Sequence, residues 1–202
     1  MNTLTGIAFT SAANPAGTSY QWNFGDGTTI NKSSPVLVSW NYLPTNSWSM
    51  VKTKGYHNLG IDITGALYTW GYNNYGQLGD GTTINKSSPV KIGSGSWNVV
   101  NSGTNHTATI DSTGALYTWG LNSSGQLGDG TTINKSSPVQ IGSSSWNMVK
   151  CNWNHTTSID STGALYTWSY NNVGQLGDGT TISKSSPVQI GSSRSEEHTS
   201  EL

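Results

Sequence analysis

The chain has 202 residues, of which 33% are hydrophobic and only 9% charged, and its formal net charge is −1. That balance supplies no basic field to hold nucleic acid and no acidic field to hold cations, and no apolar run approaches the roughly 20 residues of a membrane span. Neither nucleic acid nor a membrane is expected as a partner.

Taken in chain order, residues 1–36 begin without the positive start and apolar core of a signal peptide, an observation without weight if Met1 is internal. Within them Tyr20-Gln-Trp-Asn-Phe-Gly-Asp-Gly-Thr-Thr29 runs into Ile30-Asn-Lys-Ser-Ser-Pro-Val36. The end of that string returns at Thr83 to Val90, so the segment reads as a degenerate or partial repeat. With Ala13-Asn-Pro-Ala-Gly17 before it, it also resembles the opening of a polycystic-kidney-disease-type domain, whose Trp-Asp/Asn-Phe-Gly-Asp-Gly hallmark it carries. That family implies a small β-sandwich common in bacterial surface and secreted proteins.

From residue 37 the chain repeats itself. Gly-Gln-Leu-Gly-Asp-Gly-Thr-Thr occurs at 76–83, 125–132 and 174–181, in steps of 49 residues. Self-similarity at that period marks solenoids, propellers and arrays. In the middle copy Trp97–Val100 is a short apolar run, His106–Ile110 alternates, Asp111–Gly114 is a turn and Ala115–Trp119 is β-branched and aromatic. A glycine-rich loop follows from Gly120 to Gly130, and Ser137–Ile141 is a fourth candidate strand with Pro138 at its start. Four short strands per unit predict an all-β chain, a partial β-propeller of four-stranded blades with about three repeats and part of another.

The unit His-Thr-x-x-Ile-Asp-x-x-Gly-Ala-Leu-Tyr-Thr-Trp-Gly-x-Asn-x-x-Gly-Gln-Leu-Gly-Asp-Gly-Thr, seen at His106 to Thr131, resembles the repeat of the regulator of chromosome condensation family. Copies begin at His57, His106 and His155, and with their flanking strands they cover residues 37–193. The resemblance implies a β-propeller, typically seven-bladed, in which one sequence repeat straddles two structural blades. A seven-unit ring needs far more than the 202 residues present. The chain therefore reads as a fragment of a larger bacterial or phage protein, or as a sector whose open sheet edges pair with other copies.

Residues 194–202 change character. Arg194-Ser-Glu-Glu-His-Thr-Ser-Glu-Leu202 holds the chain's only arginine and all its glutamates, and it begins where the repeat breaks off. It resembles the translation of a sequencing adapter and reads as a non-native tail.

The candidate chemistry falls into the repeat. His57, His106 and His155 occupy one repeat position and read as packed, hydrogen-bonded strand residues rather than metal ligands. Asp26, Asp80, Asp129 and Asp178 each lie between two glycines, and Asp62, Asp111 and Asp160 open Asp-x-Thr-Gly turns; all read as turn caps. The Trp70, Trp119 and Trp168 column reads as blade core. Cys151 aligns with Ser102 and Thr53, a small-residue slot rather than a nucleophile. No acid and base stand free for catalysis. No enzyme, metal or cofactor is expected.

Binding is expected where the copies differ. Tyr72, Asn74 and Tyr75 become Leu121, Ser123 and Ser124, then Tyr170, Asn172 and Val173, while Lys54-Gly55-Tyr56 becomes Gly103-Thr104-Asn105, then Asn152-Trp153-Asn154. Both columns fall in predicted loops, and Tyr and Trp are enriched at interface hot spots. The expected contact residues are Tyr56, Tyr72, Tyr75, Leu121, Trp153 and Tyr170. The function expected is a non-catalytic protein-protein interaction module, with an extracellular or cell-surface setting favoured by the Asn, Ser and Thr content. The resemblance also implies an alternative, guanine-nucleotide exchange on a small GTPase, and the open edges suggest a further one, a self-associating structural repeat.

Overall fold

A computed structural model describes residues 47–191. Twelve strands lie among them, arranged as three antiparallel four-stranded sheets in simple meander order. Blade 1 contains β1 (Trp48–Lys54), β2 (His57–Asp62), β3 (Leu67–Gly71) and β4 (Lys86–Lys91). Blade 2 contains β5 (Trp97–Ser102), β6 (His106–Asp111), β7 (Leu116–Gly120) and β8 (Lys135–Gln140). Blade 3 contains β9 (Trp146–Cys151), β10 (His155–Asp160), β11 (Leu165–Ser169) and β12 (Lys184–Ile190). The all-β, partial-propeller architecture read from the sequence is the one observed. The polycystic-kidney-disease-like segment, the opening residues of 37–193 and the charged tail 194–202 lie outside the described residues.

The blades pack face to face. β5 lies against β1 and β2, and β9 against β5 and β6. Lys54 at the end of β1 donates from Nζ to Asn152 Oδ1 in blade 3 at 2.7 Å, so the first strands converge on a common axis and the fourth strands form the rim.

The cores sit between blades rather than within them. One cluster joins Leu59, Ile61, Leu67 and Ile92 of blade 1 to Trp97, Val100 and Trp119 of blade 2. Its counterpart joins Ala108, Ile110, Leu116 and Ile141 of blade 2 to Trp146, Val149, Cys151 and Trp168 of blade 3. A single sheet has two faces and can bury them only against neighbours, so each blade completes the next. At every first strand a tryptophan meets the tyrosine of its own third strand edge-on, with Trp97–Tyr117 centroids 5.4 Å apart and Trp146–Tyr166 5.1 Å apart.

Pro138 departs from its expected place at a strand start. β8 begins earlier, at Lys135, and the pairing with β7 slips between Thr118↔Val139 and Gly120↔Lys135, which places Pro138 in an irregular stretch of the outermost strand. An edge strand at a bulge can lose one N–H donor without breaking a ladder on its outer side.

Candidate protein-interaction face

In a four-strand meander the turn between strands one and two and the loop between strands three and four emerge at the same end. Tyr56 lies in the first kind of turn and Tyr72 and Tyr75 in the second kind of loop. Their rings meet edge-on, with centroids 6.3 Å apart for Tyr56–Tyr72 and 6.2 Å for Tyr72–Tyr75. Leu121 occupies the Tyr72 position in blade 2 and is half-buried. Trp153 and Tyr170 occupy the corresponding places in blade 3, 73% and 37% exposed. All six residues expected from the sequence thus stand at one end of the blade row; the three tyrosines of blade 1 touch, and the other three are spread over blades 2 and 3.

Two members of this face belong to the variable columns of the sequence but are not among the expected contact residues. Val173, at the Tyr75 position, is 78% exposed, more than any residue on the expected list. Lys54 of blade 1 reaches Asn152 of blade 3, and Gly103 of blade 2 packs closely on the same residue: a Cβ there would lie 2.1 Å from the His106 ring and 2.7 Å from the Asn152 carbonyl. The signal was present, since Lys54, Gly103 and Asn152 form one variable column, but only the curvature of the row brings its first and third members together.

The loops that carry this face are held from below by repeated polar networks. Asn73 is fully buried; its Nδ2 donates to Asp80 Oδ1 at 3.2 Å and to the Thr82 and Ile84 carbonyls at 3.1 Å, while its Oδ1 accepts from Leu78 N. Asn122 and Asn171 repeat the pattern in blades 2 and 3. Asp80 Oδ1 in turn accepts from Thr82 N and Oγ1, and its Oδ2 pairs with Lys86 at 3.3 Å. Burial alone would raise the Asp80 carboxyl, but the hydrogen bonds from Thr82, Lys86 and Asn73 outweigh it and hold it below its usual range. Asp62, Asp111 and Asp160 each accept from a threonine two residues on and an alanine N–H four residues on. The turn-cap reading of these carboxylates holds.

The histidines fasten blade to blade. His57 Nε2 meets Thr107 Oγ1 of blade 2 at 3.1 Å, and His106 Nε2 meets Thr156 Oγ1 of blade 3 at the same distance. Burial lowers the pKa of His57 to about 4; for His106 burial, with the charges of His57, Lys54 and His155 added, lowers it to about 3. Both rings are neutral at physiological pH and serve as hydrogen-bonding links. Cys151 is buried in the core between blades 2 and 3, and burial raises its thiol to about 12, far from a thiolate nucleophile.

The family model described as the regulator of chromosome condensation (RCC1) repeat matches residues 64–110, 113–159 and 162–200. The chain belongs to this repeat family. Each match opens in the turn after a second strand, and the first two end in the second strand of the next blade, so the sequence repeat straddles two blades, as the resemblance implied. Among solved structures, human WBSCR16 superposes with a TM-score of 0.74 at 23% identity, over 83% of this chain and 45% of that one. Yeast RCC1 (Prp20), solved bound to Kap60, superposes at 0.65 with 16% identity over 71% of this chain and 37% of that one. A further structure of Prp20p from Saccharomyces cerevisiae, described together with its binding to Gsp1p and histones, matches equally well at 0.65. This chain spans less than half the length of these relatives, and at such identities the likeness establishes the fold.

Proposed function

We propose that the chain acts as a non-catalytic protein-binding module whose contacts are made by the end face bearing Tyr56, Tyr72, Tyr75, Leu121, Trp153 and Tyr170. The observation that carries this reading is the division of labour within the repeat. Tryptophans, asparagines, aspartates and histidines recur at fixed positions and are consumed by packing and turn networks, whereas the loop positions that change lie at one end, and several of them carry aromatic rings. Large rigid aromatic surface with few charges is the composition of interface anchors. The aspartates and buried histidines are engaged structurally, which leaves the described residues without an evident acid–base pair.

The test is chemical crosslinking in the protein's own source with the wild-type chain and with a Tyr56→Ser, Tyr72→Ser, Trp153→Ser variant, followed by calorimetry with whichever purified partner the wild type alone captures. Binding lost in the variant at unchanged melting temperature supports the reading. Equal affinity of both chains would move the site elsewhere.

A second reading, nucleotide exchange on a small GTPase, draws on the Gsp1p binding described for the yeast relative. Nucleotide release from a purified small GTPase, measured with and without the chain, separates the two: acceleration supports exchange, and an unchanged rate supports simple binding.

A further inference from the structure

The described residues carry their charges in three separate places. The turns between second and third strands hold Asp62, Asp111 and Asp160, with Lys91 near Asp62, at the end of the row opposite to the aromatic face. The loops that carry the aromatic face hold Asp80, Asp129 and Asp178, but these side chains are only 5–7% exposed and each is paired with a lysine that is 28–31% exposed. The axis-lining strands β1, β5 and β9 hold Lys52, Lys54 and Lys150 and no carboxylate. None of these three lysines forms an ion pair among the described residues. The aromatic end therefore offers cations and keeps its carboxylates covered.

Lys54 is the best placed of these cations. Its Nζ donates to Asn152 Oδ1 at 2.7 Å and to the Cys151 carbonyl at 3.5 Å, two neutral acceptors for an ammonium with three donors. These oxygens orient the charge without neutralising it. Lys150 adds to the same field: burial dominates the Cys151 thiol, and against it act the Thr156 hydrogen bond and the charges of Lys54 and Lys150, a mark of how near both ammonium groups stand. The Lys54–Asn152 link also brings together the two most exposed aromatic rings among the described residues. Tyr56 lies two residues from Lys54 and Trp153 follows Asn152, and both are 73% exposed.

That juxtaposition favours one chemistry. An uncharged partner seated on the two rings would strip water from the ammonium and leave it only neutral oxygens, and a basic partner would bring like charges together. A carboxylate gives the remaining donor a charged acceptor, at a place where aromatic surface excludes water and strengthens the pair. We propose that the end face takes an acidic segment of a partner protein, one Glu or Asp carboxylate pairing with the Lys54 ammonium while the apolar residues beside it pack on Tyr56 and Trp153. This rests on the reading of the end face as the contact surface and narrows the partner to an acidic segment with apolar neighbours. Blade 2 offers Gly103-Thr104-Asn105 in these columns, with neither cation nor ring, so the row of three blades seats a single such carboxylate.

The test is fluorescence anisotropy with three labelled peptides, Gly-Ser-Leu-Glu-Phe-Glu-Leu-Ser-Gly and its counterparts with Gln or Lys in place of both Glu residues, titrated with the full chain. The Glu peptide is expected to bind one to one and at least about fivefold tighter than the Gln peptide, with the Lys peptide weakest. Its binding should weaken as ionic strength rises from about 0.01 M to about 0.1 M. Lys54→Gln, which keeps a donor for Asn152 and removes the charge, should bring the Glu peptide down to the affinity of the Gln peptide. Should that variant melt early, Lys150→Gln decides in its place, with a loss of at least about twofold for the Glu peptide at unchanged melting temperature. Equal affinity for the Glu and Gln peptides, no binding of any of the three, or Lys54→Gln binding the Glu peptide as the wild type does overturns the proposal and leaves the end face to the crosslinking test. Undiminished binding of the Glu peptide by the Tyr56→Ser, Tyr72→Ser, Trp153→Ser variant instead removes the face itself, and this inference with it.

Discussion

Blades 2 and 3 carry nearly the same residues in the same register, yet they differ in how well they are buried. Leu116 is 0% exposed and Leu165 37%; Ile110 is 2% exposed while Ile159 is half-buried; Gln126 is 1% exposed while Gln175 is half-buried. The difference lies in the neighbour. Blade 2 is covered on both faces and blade 3, among the described residues, on one. In this architecture the stabilising unit is the interface between blades, as expected of a quasi-one-dimensional repeat in which nearest-neighbour terms dominate.

The largest test of that view is Trp119→Ala. The ring is fully buried between blades 1 and 2 and its Nε1 donates to Gln77 O, so its loss should cost about 3–5 kcal/mol in chemical denaturation, with the Gln77 and Thr107 links loosened together. Next comes the pair Leu116→Ala and Leu165→Ala. The same deletion should cost about 2–5 kcal/mol in blade 2 and about 1 kcal/mol or less in blade 3. Equal costs would break the comparison, whereas a Leu165→Ala cost that rises with protein concentration would show its face being covered by association.

Acidification probes the buried links. Folded-state pKa values of about 4 for His57 and about 3 for His106 lie below the usual 6.5, so the unfolded chain binds protons more readily between those values. Stability should therefore fall as pH drops from about 6.5 toward about 3, and the carboxylates Asp80, Asp129 and Asp178, also held below their usual range, add to the loss at the acid end. Melting temperature against pH checks the slope, and ring NMR shifts of His57 and His106 should remain those of neutral imidazole at pH 5. The smallest effect is expected at the rim: Lys135→Ala removes a partly exposed 3.6 Å pair with Asp129 and should change stability by less than about 1 kcal/mol.

One position shows how closely the repeat governs backbone shape. Gly71 and Gly120 end the third strands of blades 1 and 2 with φ near 109° and 105°, and Ser169 occupies the same place in blade 3 with φ 91°. Its hydroxyl donates to the Asn154 carbonyl at 2.6 Å and the Ser124 carbonyl at 3.0 Å, contacts that hold a non-glycine residue in a region it rarely visits.

The sequence by itself determined the strands, their order and the turn roles of the aspartates. These depend on neighbours within a few residues: alternation at His106–Ile110, the Asp-x-Thr-Gly spacing that lets Asp111 cap its own turn, and glycines where φ must be positive. It also marked the six candidate contact residues as variable, because comparison between copies needs no coordinates. Only the tertiary structure decided that the tryptophan column lies between blades rather than inside one, that Pro138 sits within a slipped edge strand, and that Lys54 of blade 1 meets Asn152 of blade 3. Those facts depend on the angle at which one sheet packs on the next, a property of two surfaces in contact that no local pattern encodes. The same reason explains why Leu116 and Leu165, identical in sequence setting, differ so much in burial: a residue's surroundings within its own strand are written in the chain, and the face that covers it is supplied by another blade.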